Sequence, residues 1–141
     1  MASNMSDLLE KGLIDYVLKT ANSTFMTAIT SGSIWAGLCT SAPTDTATNE
    51  CTVASYQRAQ VAFITAASGD AGCIGPSTAV SFTQCTGTAW GDVLGYALFP
   101  CSVGSTGASA YLAHGVVSPS VSVALNDTVS FAASAMTLSF A

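Results

Sequence analysis

A chain of 141 residues has room for one domain with a core of its own. Only 3 basic and 8 acidic residues are present, so 8% of positions are charged, about a third of the usual share, and the mean hydropathy is +0.51. This composition excludes global disorder, which requires high charge and low hydrophobicity, and the net charge of −5 argues against a nucleic-acid backbone as a partner.

Leu9, Leu13, Tyr16, Val17 and Thr20 recur at helical spacing, and Asp7 followed by Glu10 supplies an N-terminal cap. The spacing predicts one amphipathic helix, with Leu9, Leu13, Tyr16 and Val17 as its docking face. Glu10, Lys11, Asp15 and Lys19 interrupt the apolar run, unlike a signal-peptide core, so the expectation is a protein made in the cytoplasm. Residues 1–30 are read as this helix and a link, and 31–141 as the main domain. No stretch reads as a membrane-crossing helix: the apolar runs are broken by Pro76, Gly115 and Pro119.

Beyond the link the periodicity changes from 3.6 to two. Ile34 to Cys39 reads as a buried strand closed by a turn around Ser41, Pro43 and Asp45. Arg58 to Ile64 alternates, with Phe63 on an apolar face, and Ser68 to Gly72 reads as a loop. Val80 and Phe82 mark a short strand, and Val93 to Phe99 sets Leu94, Tyr96 and Leu98 against small residues. A tip over Ser102 to Gly107 precedes strands at Tyr111–Val117 and Val121–Leu125, and Asn126-Asp127 is a turn signal. Thr128–Phe131 and Met136–Phe140 complete the chain. Short strands at this spacing predict a mainly β fold, an antiparallel sandwich or small barrel, with the helix on an edge or end.

Trp35 and Phe63 are expected in the core, and Trp90 is a large apolar anchor beside Gly91, where a close backbone approach or bulge is expected. Glu50 precedes Arg58, the sole arginine, which points to a salt bridge or bonds to loop carbonyls. Cys39, Cys51, Cys73, Cys85 and Cys101 form no C-x-x-C pair, and with His114 the only histidine a zinc site is not supported. They read as small buried residues, with disulfides after release left open. Nucleotide-binding loops, metalloprotease motifs and a nucleophile elbow are absent, and Asp45 and Glu50, flanking one loop, are the only carboxylate pair worth naming. The expectation is no enzyme, no cofactor and no small-molecule substrate.

The order of features carries more than any one of them. Trp35 to Pro43, Asn49-Glu50, Tyr56-Gln57-Arg58, Ala79 to Phe82, Trp90 to Val93, Tyr111 to Gly115 and Asn126 to Phe131 succeed one another along nearly the whole chain. In that order they resemble a family of small tailed-bacteriophage virion proteins, described variously as decoration (cement), tail-fibre-like or minor structural proteins. The resemblance implies a β-sandwich without enzymatic activity, located in the virion. The main expectation is a capsid cement protein whose partners are the major capsid protein and copies of itself, without nucleic acid or membrane. The alternatives are a tail or tail-fibre component and, of another class, a small carbohydrate-binding module or hydrolase.

Overall fold

The alternating run at Ile34 builds the centre of the protein. In the computed structural model, which describes residues 33–63, 73–74, 76–102, 111–133, 135–136 and 138–139, eight strands form antiparallel sheets. They are β1 (Ile34–Cys39), β2 (Ala59–Val61), β3 (Cys73–Ile74), β4 (Val80–Ser81), β5 (Gly91–Phe99), β6 (Ala113–Val123), β7 (Ser130–Phe131) and β8 (Leu138–Ser139). A four-stranded sheet has the order β2-β1-β5-β6, while β3 pairs with β8 and β4 with β7. The fold is mainly β, with no helix among the described residues. The expected N-terminal helix, with Leu9, Leu13, Tyr16 and Val17, lies outside them, as do the loop over 68–72 and all of the 102–107 tip except Ser102.

Strand alternation divides β1 between two apolar clusters. Ala36 and Leu38 join Val61, Val93, Leu98 and Val123 in a core on one face, closed by Val80, Phe82, Trp90 and Met136. Full burial of one such aliphatic side chain contributes about 1.5–3 kcal/mol, so this face supplies most of the driving force. Aromatic rings line it in succession: Trp90 meets Tyr56 edge-on, Tyr56 stacks on Phe82, and Phe131 contacts both Phe82 and Tyr96. On the opposite face Cys39, Ala97, Phe99 and Tyr111 form a smaller cluster against which Trp35 packs.

Trp35 and Phe63 do pack against the core clusters, each partly rather than fully buried: Trp35 borders a surface cavity, and Phe63 lies past the end of β2, in an isolated bridge to Pro76. Several sequence expectations are corrected. The strand expected from Arg58 to Ile64 is reduced to Ala59–Val61. Leu94 does not share the face of Tyr96 and Leu98. Between the pairs Val93↔Val121 and Gly95↔Val116, β5 has Leu94 alone while β6 has Val117, Ser118, Pro119 and Ser120. This irregularity shifts the alternation and puts Val93 in the core instead. The two strands expected on either side of Pro119 are one strand, β6, with Pro119 in the stretch that does not pair with β5.

The turns follow their sequence signals. Asn126 adopts φ 73°, a left-handed conformation that asparagine tolerates well. The Asp127 carboxylate accepts a 2.9 Å bond from the Ala124 amide, and the Asn126 amide donates to the Cys85 carbonyl. Gly91 has φ 81° where β5 begins, a conformation that favours glycine. Next to it, Trp90 is buried and donates its indole N–H to Ser55 Oγ at 3.1 Å.

Candidate functional site

The most concentrated polar chemistry lies on the second face of the sheet, around Gly37. Glu50 is brought there by the loop that leaves β1, which returns through an isolated bridge between Cys39 and Glu50. Asn49 takes φ 42° just before this bridge, and its side-chain amide donates to Ser41 Oγ at 2.7 Å. Pairing between β1 and β2 covers only Ile34 to Ala36. Past that point the Leu38 amide donates to the Tyr56 hydroxyl at 2.7 Å, and the Leu38 carbonyl accepts from the Cys51 amide. The phenol thus takes the place of a missing strand partner.

Tyr56 in turn donates to Glu50 Oε1 at 3.1 Å. Arg58 completes the group with two parallel bonds to the carboxylate, Nε to Oε1 at 2.8 Å and Nη2 to Oε2 at 2.7 Å. This side-on geometry is the strongest form of arginine–carboxylate contact. The remaining guanidinium nitrogen, Nη1, donates to the Cys101 carbonyl at 2.9 Å and lies 3.4 Å from its Sγ. The guanidinium carbon sits 3.4 Å from the centre of the Phe99 ring, a cation–π contact with little access to water. The Arg58 side chain is 4% exposed and that of Glu50 is 19% exposed.

Burial governs the ionisation here. Removal from water would favour loss of the Arg58 proton, but the hydrogen bonds and charge of Glu50 outweigh it and hold the guanidinium charged. Burial first, and the Glu50 charge second, push the Tyr56 phenol well above its ordinary range. The same two causes, opposed by Arg58, push the Cys39 thiol up to about 12. Both groups are therefore held protonated, and the Tyr56 hydroxyl keeps the hydrogen that it donates to Glu50.

Beside this group a cavity of about 430 Å³ opens, with Trp35, Glu50, Thr52, Gln57 and Ser102 among its walls. A second polar contact lies further along the loop, where His114 Nε2 is 3.0 Å from Asp45 Oδ1 and the Tyr111 hydroxyl donates to the Thr44 carbonyl. Asp45 and Glu50 thus have separate partners, His114 and Arg58 respectively. Trp90, Gly91, Asn126 and Asp127 are not in this group; Trp90 packs in the first core, and the other three shape the entry to β5 and the turn after β6.

Tyr56 and Cys101 were missed as site residues. The signal for Tyr56 was its two-residue separation from Arg58, which puts both on one side of an extended segment. Nothing in the sequence marks the Cys101 carbonyl as an acceptor. Cys39, Cys51 and Cys85 are buried thiols. Among the described residues no group of three or more His, Cys, Asp or Glu side chains is arranged to hold a metal ion.

Comparison with known proteins adds what geometry alone does not give. No curated protein matches the chain. Residues 4–139 match the family described as podophage GP4 fiber I protein gp80. A match over that span takes in the Glu50–Arg58 group and every described strand, and the chain belongs to this family of phage virion structural proteins.

Proposed function

We propose that the protein is a non-enzymatic structural component of a podophage fiber, held in the virion by contacts with copies of itself and with neighbouring fiber or tail proteins. The observation that carries this reading is the family match over residues 4–139. Its description stands nearer to the tail-fibre alternative than to the capsid cement expected first from sequence. The polar chemistry supports a structural role: His114 bonds Asp45, and Glu50 is committed to Arg58 and Tyr56. A short-stranded antiparallel domain with so few charges would rely on apolar contact and strand-edge hydrogen bonds more than on ion pairs, so assembly should tolerate raised salt.

Antibody labelling of purified particles, combined with quantitative mass spectrometry of the virion, tests the reading. Labelling at the fiber or tail, with a copy number far below that of the major capsid protein, is the expected result. Uniform labelling of the head at a copy number comparable with the capsid protein would replace it with the cement reading.

A further inference from the structure

We propose that the cavity beside Trp35 binds a neutral polyhydroxylated ring, the exposed pyranose of a saccharide. Its volume of about 430 Å³ falls within the usual range for small-ligand sites, about 300–1,000 Å³. The wall combines two aromatic residues, Trp35 and Tyr56, with several neutral polar groups. Trp35 is half-buried and borders the cavity, while the side chains of Thr52, Gln57 and Ser102 are exposed and make no hydrogen bond to any described residue.

The charges on the wall select the ligand class. Glu50 and Arg58 neutralise each other through two bonds, so an anion or cation entering the cavity finds no unpaired counter-charge to offset its desolvation. A carboxylate has about four lone-pair positions. Arg58 and Tyr56 fill three of those on Glu50, which leaves capacity for one ligand hydroxyl at a carboxylate that is 19% exposed. Because Arg58 and Tyr56 hold Glu50 in place, accepting that hydroxyl costs little ordering. A pyranose matches both halves of the wall, with a C–H face to pack on the indole and hydroxyls for Glu50, Gln57, Thr52 and Ser102. A flat apolar ligand would leave those polar groups unsatisfied.

The site is a property of the folded chain, so it can be tested apart from the protein's place in the virion. The full chain would be titrated separately with glucose, galactose, N-acetylglucosamine and rhamnose, and binding read by saturation-transfer NMR. At least one sugar should bind. Trp35→Ala should weaken that binding at least about tenfold, Gln57→Ala should weaken it less, and Trp90→Phe should leave it unchanged. If Trp35→Ala fails to fold, the exposed Gln57→Ala and Thr52→Val variants carry the comparison, and weaker binding in both is expected. Failure of all four sugars to bind would overturn the proposal, as would undiminished binding by a folded Trp35→Ala variant, or displacement of the sugar by sulfate.

Discussion

Glu50 occupies the space that a side chain at Gly37 would need: a Cβ built there would lie 2.7 Å from Glu50 Oε1 and 2.7 Å from the Phe99 ring. The absence of a side chain in the middle of β1 is what lets a carboxylate lie flat against the sheet and meet Arg58. Gly37→Ala should therefore act as overpacking, which typically costs about 1–3 kcal/mol. Urea unfolding of the variant should show a lower midpoint with an unchanged slope. An unchanged midpoint would mean that Glu50 and Phe99 can move aside freely.

The Glu50–Arg58 pair should show strong mutual dependence. Arg58→Ala leaves a carboxylate with Tyr56 as its one side-chain donor among the described residues, and removal of one member of a buried pair typically costs about 3–5 kcal/mol. Glu50→Ala should cost a similar amount, because it strands a guanidinium that is 4% exposed. The double substitution should cost well under the sum, since neither stranded charge remains. Additive losses in a double-mutant cycle would show that the two residues contribute independently.

Stability should fall in alkali. The folded-state proton affinity of the Cys39 thiol is raised from 9.0 to about 12, and that of the Tyr56 phenol is raised above 10.0. Below pH about 9 both groups are protonated in the folded and unfolded chains, and their contribution is fully present. Above it the unfolded chain releases the Cys39 proton while the folded chain keeps it, so stability drops by up to about 1.4 kcal/mol per pH unit until about 12. Tyr56 adds to the fall above about pH 10, and Cys51, also raised by burial, acts in the same sense. Cys39→Ala should make the decline shallower in denaturant midpoints measured from pH 8 to 11. An identical decline in both proteins would remove Cys39 from this account.

The turn after β6 offers a backbone test. Asn126 sits at φ 73°, where a β-branched side chain is strongly disfavoured. Asn126→Val should lower stability by about 1–2 kcal/mol, whereas Asn126→Gly should remain within about 0.5 kcal/mol of the parent, since glycine adopts this conformation readily. Thermal unfolding of the two variants side by side reads the difference. Equal melting temperatures would mean that the turn can adopt another conformation.

Local pattern and fold agree where one strand meets one regular neighbour. β1 spans Ile34–Cys39, the run read from its alternation, and Asn126-Asp127 forms a turn. Glu50 and Arg58 stand out in a chain so poor in charge, and the loop between them is short enough for them to meet. The reading fails where a partner strand changes the register. Leu94 alternates correctly with Tyr96 on paper, but the four β6 residues set against it shift the faces and bury Val93. Pro119 reads as a strand breaker because it lacks an N–H, yet the stretch that holds it does not pair with β5. Trp35 looks like a core residue because it is large, apolar and in β1, but its face of the sheet is only partly covered.

The irregular stretch of β6 also bears on how crowded copies of this protein behave. β6 is the last strand of the four-stranded sheet, long and without charge, with Val116 and Val121 exposed. A straight edge of that kind is a template for uncontrolled strand addition and fibrillar growth. Val117 to Ser120 leave the β5 ladder near the middle of β6, and Pro119 offers no amide hydrogen to an incoming strand. An approaching chain could register with only a few residues on either side before losing alignment. The missing amide hydrogen at Pro119 therefore works against extended strand addition along this edge.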